Sequence, residues 1–276
     1  MDDTTSALAT LRRQRRMLQM TVWASGIYVW GTSFERFAAD RAAHYERVKR
    51  RWVEGTTRIV GFDPRIVEGS AAPAARGRLV VANHRSPLDV LALMRTFGGH
   101  FLANHRVATA PIVGPSARAV DTVFVDRDDQ RSGSKAVRHM RRLLAEGRTV
   151  VVFPEGTTHA GDEVRPFQAG AFVAASGLPV DLVPVGLAYT PGHEFEGGTL
   201  GGHVRAFMAR PSTPAWLAIG EPVPFPAQRK GVEDTMRSAV QALVQRARAA
   251  AVAEGVPMPP RPAGSEGVLP GDPTAP

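Results

Sequence analysis

The pattern of apolar and polar positions predicts short strands that alternate with helices. Apolar runs too short for helices and rich in β-branched residues predict buried strands, and they are residues 79–82, 100–103, 122–125, 149–153, 182–189 and 216–219. Apolar residues recur at helical spacing in residues 87–97, 134–147, 167–176 and 231–253. This alternation is typical of an α/β fold, so we expect a single domain with a mainly parallel sheet flanked by helices.

The amino-terminal part of the chain has a different pattern. Residues 17–34 contain no charged residue and follow the basic run Arg12-Arg13-Gln14-Arg15-Arg16. Their length just reaches the minimum for a membrane span, while their polar interruptions and tryptophans suit the bilayer interface. We therefore expect residues 1–60 to form membrane-associating helices at the cytoplasmic face of the cell membrane, either single-pass or lying in the interface. A soluble amphipathic helix packed on the domain is the alternative.

Composition narrows the possible chemistry. The chain has no cysteine, which excludes disulfides, thiolate nucleophiles and cysteine-based zinc sites. Its net charge of +8 comes almost entirely from arginine, since only three of the 34 basic residues are lysine. Arginine suits partners that carry phosphate, such as acidic lipid, nucleotide or nucleic acid, but few aromatic residues accompany the basic stretches, which disfavours nucleic acid. Residues 61–255 form the predicted compact domain, and the proline-rich residues 256–276 a predicted disordered tail.

Polar clusters follow three of the predicted strands. They are Asn83-His84 with Asp89, then Asp126-Arg127, and then Glu155-Gly156-Thr157. The carboxyl ends of parallel strands meet at one edge of a sheet, where open α/β sheets bind ligands. We therefore expect these clusters to form one site.

His84 and Asp89 are the candidate reactive pair. Ser86-Pro87 predicts a helix start with Ser86 as the N-cap, which places Asp89 one turn into the helix and near the imidazole. A carboxylate that holds one ring nitrogen leaves the other free to take a proton. The alternative is an ordinary turn histidine beside a near-capping box.

Other residues of this edge suit an anionic substrate. Arg127 could clamp a phosphate, and Gly156 lets the backbone approach a ligand closely. The sequence contains no Gly-x-Ser-x-Gly elbow, no Walker phosphate loop and no His-Glu-x-x-His zinc helix. The glycine-rich residues 197–202 follow no predicted strand, so we interpret them as a surface loop.

Four sequence blocks resemble those of the glycerolipid acyltransferases, the group that includes 1-acylglycerol-3-phosphate acyltransferase. They are residues 83–89 (Asn-His-Arg-Ser-Pro-Leu-Asp), 124–127 (Phe-Val-Asp-Arg), 153–157 (Phe-Pro-Glu-Gly-Thr) and 183–185 (Val-Pro-Val). All four stand in the family's order, which is far more specific than any single block.

The resemblance implies an activity and residue roles. His84 would be the general base and Asp89 its partner, and a lysolipid hydroxyl would attack the thioester of acyl-CoA or acyl carrier protein directly, without an acyl-enzyme. Arg127 and the turn formed by Glu155, Gly156 and Thr157 would help bind the acceptor. The resemblance implies membrane lipid as a partner and no cofactor or metal beyond the acyl donor, and it leaves the oligomeric state open.

Two departures from the family pattern bear on the acceptor. Thr158 stands where many members have arginine, and Asn104 where a lysine often precedes the second block, with His105 and Arg106 beside it. Both changes remove positive charge expected near a phosphomonoester. The acceptor could therefore be 1-acylglycerol-3-phosphate, lyso-ornithine lipid or lysophosphatidylethanolamine. The residues also leave open a hydrolase or phosphatase that uses the same pair, or a non-enzymatic basic protein that binds membranes.

Overall fold

The helices and strands were located in a computed structural model that describes residues 3–35, 40–71, 75–104, 122–126, 129–195, 197, 199–259 and 266–267. The helices are α1 (Asp3–Glu35), α2 (Arg41–Val60), α3 (Leu88–Phe97), α4 (Gln130–Ala145), α5 (Gly170–Ala175), α6 (Leu200–Ala209) and α7 (Val232–Ala253). The strands are β1 (Phe62–Glu68), β2 (Arg78–Ala82), β3 (His100–Asn104), β4 (Val123–Val125), β5 (Thr149–Val152), β6 (Thr158–His159), β7 (Asp181–Tyr189), β8 (Thr213–Ile219), β9 (Val223–Pro224) and β10 (Glu266–Gly267). The chain forms two compact units, Met1–Asp63 with Gly198–Pro214, and Pro64–Gly197 with Ala215–Pro276.

The second unit is built on a mainly parallel sheet. The strand order is β1-β8-β7-β2-β5-β3-β4, and β9 pairs with β7. Strands β7, β2, β5, β3 and β4 run parallel, while β8 and β9 pair antiparallel with β7. The central strands are buried along nearly their whole length, as expected for parallel strands covered on both faces. The predicted α/β fold with a mainly parallel sheet is confirmed.

Helices pack on this sheet through apolar side chains, and several of them meet in one large cluster. Leu79 of β2 and Val150 of β5 share that cluster with Met140 of α4, Phe172 of α5 and Val240 of α7. Helix α7 lies close against β7 because residue 186 is glycine, and a Cβ there would stand 2.2 Å from the backbone nitrogen of Val244.

The first unit is helical. Helix α1 packs against α2, where the ring of Trp23 occupies the space left by Gly55. Helix α1 also contacts α6, because Arg12 donates a hydrogen bond to the carbonyl of Ala209 at 2.8 Å and Arg16 donates to that of Arg210 at 2.6 Å. None of the helices in the described ranges has the combination of length and apolar content needed to cross a bilayer. Large apolar side chains are nevertheless exposed along α1, namely Leu8, Leu11, Met17, Leu18, Val22, Tyr28 and Val29.

Several elements differ from the sequence prediction. Helix α4 begins at Gln130 instead of near Ser134, because the side chain of Asp129 accepts the N–H of Arg131 at 2.8 Å and caps the helix earlier. Strand β1 lies in a stretch for which the apolar pattern predicts neither a strand nor a helix of the domain.

The glycine-rich segment predicted as a surface loop contains the start of α6, which Thr199 caps by accepting the N–H of Gly202 at 3.0 Å. Most of the tail predicted as disordered lies outside the described residues. Two of its residues form β10, antiparallel to β6, with Glu266 opposite His159.

Candidate active site

The turn after β2 is fixed by an amide from its first residue. The side chain of Asn83 donates to the carbonyl of Leu187 at 2.9 Å and accepts the N–H of Leu187 at 2.8 Å. Asn83 is fully buried. This pair of bonds holds the end of β2 against β7 and so determines where the next residue, His84, leaves the sheet.

His84 and Asp89 are in direct contact. Nδ1 of His84 lies 2.9 Å from Oδ2 of Asp89, whose side chain is fully buried, whereas 17% of the His84 side chain is exposed. The imidazole also stacks on the ring of Phe153, with centroids 4.1 Å apart and planes inclined by 15°. Because Nδ1 faces the carboxylate, Nε2 is the nitrogen that can exchange a proton with a substrate.

Backbone and side-chain donors hold the carboxylate of Asp89. Oδ2 also accepts the N–H groups of Arg85 at 2.6 Å and Ser86 at 2.8 Å, and Oδ1 accepts the hydroxyl of Tyr189 at 2.5 Å. These donors satisfy both oxygens of the buried carboxylate and hold it in place. A negative carboxylate beside Nδ1 can in turn stabilise an imidazolium formed at His84.

The start of α3 differs by one residue from the prediction. The N-cap is Pro87, and the helix begins at Leu88. The hydroxyl of Ser86 still accepts the N–H of Leu88, at 3.2 Å. Asp89 is therefore the second helical residue, and its side chain turns back to the N–H groups that precede the helix.

Glu155 lies behind the histidine turn with its side chain fully buried. Oε1 accepts the backbone N–H of His84 at 2.8 Å and a guanidinium N–H of Arg85 at 3.0 Å. Oε2 lies 3.0 Å from Nε2 of His159 and accepts the N–H of Arg165 at 2.8 Å. Burial alone would raise the pKa of Glu155, but the hydrogen bond from His159, the charge of Arg85 and the N–H of Arg165 outweigh burial and lower it.

Arg85 is a buried structural residue whose contacts the sequence does not predict. Besides Glu155, it donates to the carbonyls of Gly161 at 2.8 Å, Glu163 at 2.8 Å and His84 at 3.0 Å. Its guanidinium thereby ties the first block to the segment after the third block. The signal in the sequence is an arginine within the first block and an acid three residues after the end of β5, and their pairing depends on the fold.

The structure describes two of the three other predicted site residues. Gly156 adopts a φ of 84°, in the left-handed region that favours glycine, and its N–H donates to the carbonyl of Phe153 at 3.1 Å. Gly156 and Thr157 are both partly exposed. Arg127 lies outside the described residues, although β4, which precedes it, runs parallel to β2 and β5.

The residues of the two family departures are also only partly described. Thr158 is buried and pairs through its backbone with Gly267. His105 and Arg106 lie outside the described residues, and only the backbone of Asn104 is described, at the end of β3.

Comparison with known proteins identifies the family of this chain. The Acyltransferase family model matches residues 64–188. The chain is 30% identical to a lyso-ornithine lipid O-acyltransferase from Pseudomonas aeruginosa over 187 aligned residues. The alignment covers 66% of this chain and 69% of that protein. The chain belongs to the glycerolipid acyltransferase family. It is also 28% identical to a 1-acyl-sn-glycerol-3-phosphate acyltransferase from Neisseria gonorrhoeae, over 64% of this chain and 68% of that protein.

A solved structure shares the fold of this acyltransferase. The crystal structure of the 1-acyl-sn-glycerophosphate (LPA) acyltransferase PlsC from Thermotoga maritima superposes with a TM-score of 0.62 at 22% identity, over 86% of this chain and 98% of that one. The family assignment makes the protein an acyltransferase enzyme and sets aside the hydrolase, phosphatase and non-enzymatic alternatives.

Proposed function

We propose that this acyltransferase moves a fatty acyl group from acyl-CoA or acyl carrier protein to the free hydroxyl of a lysolipid, with His84 as general base and Asp89 as its partner. The observation that carries the proposal is the 2.9 Å contact between Nδ1 of a partly exposed His84 and the buried carboxylate of Asp89. That arrangement suits a group that must repeatedly gain and lose a proton at Nε2.

The chemical step needs only these two side chains and the substrates. Nε2 of His84 takes the proton of the lysolipid hydroxyl as its oxygen attacks the thioester carbonyl carbon. Asp89 stabilises the imidazolium while the negative charge develops on the carbonyl oxygen. When the tetrahedral intermediate collapses, the carbon–sulfur bond breaks and the imidazolium returns its proton to the leaving thiolate. The products are the diacyl lipid and the free thiol.

The second and third blocks are proposed to complete this site. The partly exposed Gly156 and Thr157 are proposed to contact the acceptor, and Arg127 is proposed to pair with its anionic group. Glu155 is a positioning residue, because all of its described contacts are to protein donors and one of them is the N–H of His84.

The acceptor is proposed to be 1-acylglycerol-3-phosphate or lyso-ornithine lipid, the acceptors in the names of the relatives. Thr158 favours the second, because a neutral, buried threonine replaces an arginine that would suit a phosphomonoester. A panel of lysophosphatidic acid, lyso-ornithine lipid and lysophosphatidylethanolamine separates the candidates.

The helical unit is proposed to lie on a membrane surface. Leu8, Leu11, Leu18, Val22 and Val29 are exposed at spacings of three, four or seven residues along α1, which places them on one face of the helix. An apolar face with arginines nearby suits the interface of an anionic bilayer.

The test is thiol release by protein purified in detergent, with acyl-CoA and the lysolipid panel. With the fold intact, His84→Ala and Asp89→Asn should each lower the rate of release by roughly 10³-fold or more, whereas His139→Ala, the same change on α4, should leave release unchanged. Acyl transfer that survives His84→Ala would overturn the mechanism.

A further inference from the structure

Tyr189, the last residue of β7, has a role that none of the family blocks explains. Its side chain is fully buried, and its hydroxyl donates to Oδ1 of Asp89 at 2.5 Å. His84 contacts the other carboxylate oxygen, Oδ2. The phenol and the imidazole therefore hold opposite oxygens of the same acid.

The two oxygens of Asp89 are supported unequally. Oδ2 contacts Nδ1 of His84 and accepts the backbone N–H groups of Arg85 and Ser86. Among the described residues, Tyr189 is the donor to Oδ1. A hydrogen bond on each oxygen fixes the plane of the carboxylate, which in turn fixes the direction from which it meets the imidazole. Burial, and after it the charge of Asp89, raise the pKa of Tyr189 well above its ordinary value, so the phenol keeps its proton and continues to donate.

We propose that Tyr189 is a positioning residue for acyl transfer, which through Asp89 sets both the orientation and the proton affinity of His84. The inference rests on the proposed roles of His84 and Asp89. The phenol disperses part of the carboxylate charge, so its removal leaves a more basic carboxylate beside the imidazole. Protons then bind the pair at higher pH.

Tyr189→Phe tests this inference because it removes the hydroxyl and keeps the ring. A hydrogen bond to a charged group contributes about 1.5–3 kcal/mol, so we expect kcat to fall by roughly 10- to 100-fold, with KM for both substrates within about twofold of the parent. The midpoint of the acidic limb of the kcat–pH profile should move to higher pH. Tyr45→Phe, the same change on α2, should alter neither quantity.

A double-mutant cycle separates positioning from a loss of folding. In the Asp89→Asn background there is no ionised carboxylate to position, so adding Tyr189→Phe should leave the residual rate unchanged. The proposal is wrong if folded Tyr189→Phe keeps the parent's pH profile, or if the two changes multiply independently. Residual activity of His84→Ala distinguishes the two failures, since full activity there would overturn the general-base mechanism itself.

A second, independent observation concerns a hollow in the helical unit. It has a volume of about 400 Å³ and is lined by Arg12, Arg15, Arg16, Gln19, Arg58 and Ile59. None of the described residues that line it is acidic. Burial, and then the nearby charges of Arg12 and Arg15, lower the pKa of Arg16.

Part of this hollow is rigid. Arg16 is held by the carbonyls at the end of α6, including Pro211 at 2.9 Å, and Arg12 by that of Ala209 at 2.8 Å. Arg15 and Arg58 are exposed at its rim. The exposed Leu11 and Leu18 neighbour the same arginines along α1.

We infer that this hollow binds the phosphate of an anionic membrane lipid, with Leu11 and Leu18 beside the acyl chains. Clustered guanidiniums next to apolar side chains match a phosphate that is attached to hydrocarbon. Free inorganic phosphate shares the chemistry but would make no use of the leucines. The inference deepens the proposed membrane association and is independent of the acyl-transfer chemistry.

The test compares two variants with equal loss of charge, Arg15→Gln/Arg58→Gln at the hollow and Arg13→Gln/Arg138→Gln away from it. In sedimentation with phosphatidylglycerol–phosphatidylcholine vesicles, we expect the first variant to lose about 30-fold in affinity, because each of the two arginines contributes ~1 kcal/mol near the surface, and the second less than about twofold. Equal losses would show diffuse attraction instead of a site.

Thermal protection by inorganic phosphate that depends on Arg15 and Arg58, with unchanged vesicle binding, would overturn the lipid assignment. Acyl transfer in detergent should be equal for both variants, which separates this failure from that of the proposed reaction.

Discussion

Glu155 accepts the backbone N–H of His84 at 2.8 Å across a separation of 71 residues. The bond joins the third family block to the first, since the carboxylate lies behind the turn that presents the imidazole. The same acid pairs with Arg85 and His159. The third block is therefore part of the scaffold of the histidine as well as a proposed contact for the acceptor.

Removing the charge of Glu155 should destabilise the fold. Glu155→Gln keeps the size of the side chain but leaves the buried guanidinium of Arg85 without its counter-ion. Breaking a buried pair from one side costs about 3–5 kcal/mol, so we expect a loss of about 3 kcal/mol in the free energy of unfolding by urea titration. Glu146→Gln, at an exposed position, should cost less than about 0.5 kcal/mol. A loss for Glu155→Gln no larger than that of the control would contradict this role.

The free energy of unfolding should depend on pH through the titration of Glu155. Because the pKa of Glu155 is lowered in the folded state, its contribution is fully present above the unfolded value of about 4.3. That contribution is lost as the pH falls through the lower folded value. The urea midpoint of the parent should therefore decrease more steeply below about pH 4.3 than that of Glu155→Gln. Parallel curves for the two proteins would show that the carboxylate is not stabilised by folding.

Asp89→Asn should separate binding from chemistry. The amide can still meet Nδ1 but carries no charge to stabilise an imidazolium, so we expect kcat to fall by roughly 10³- to 10⁴-fold, with KM within a few-fold of the parent. Initial rates of thiol release measure both quantities. Asp181→Asn, at the opposite end of the sheet's central strands, is the matched control and should retain the parent rate. A fall in kcat of less than tenfold for Asp89→Asn would argue against an ionic partner for His84.

Close packing of α7 on β7 predicts a strong effect at one glycine. In Gly186→Ala the new Cβ would lie 2.2 Å from the nitrogen of Val244 and 2.3 Å from the carbonyl carbon of Leu243, so the helix must move. Overpacking of this kind costs about 1–3 kcal/mol, measurable as a lower thermal midpoint. Gly133→Ala on α4, where a Cβ would meet nothing within 4 Å, should instead stabilise the fold by up to about 1 kcal/mol. Similar midpoints for the two variants would refute the packing argument.

Most of the strands could be predicted from the sequence, because buried strands appear there as continuous apolar runs. Strands β2 and β5 were located to within about one residue, since both faces of a central parallel strand must be apolar. The predictions failed at the starts of two helices, α6 and α4. Residues 197–202 are predicted as a surface loop because of their glycines, yet Gly201 and Gly202 lie in the first turn of α6. Helix α4 begins before its predicted start because Asp129 caps it.

The candidate site was predictable only in part, for a physical reason. His84 and Asp89 are five residues apart, so local geometry suffices to bring them together. Arg85 and Tyr189 take part through contacts with residues distant in the chain, Arg85 with Glu155 and Tyr189 with Asp89. Such contacts depend on strand order and register, which no local pattern encodes.

Strand β7 carries both outer supports of the reactive pair, because Leu187 anchors Asn83 and, two residues further along, Tyr189 anchors Asp89. The supports of the proposed base therefore lie on one buried strand, whereas the proposed acceptor contacts lie in turns that follow other strands. In the proposed mechanism, exchanging those turns would change the lipid that is accepted and leave the supports of the imidazole in place.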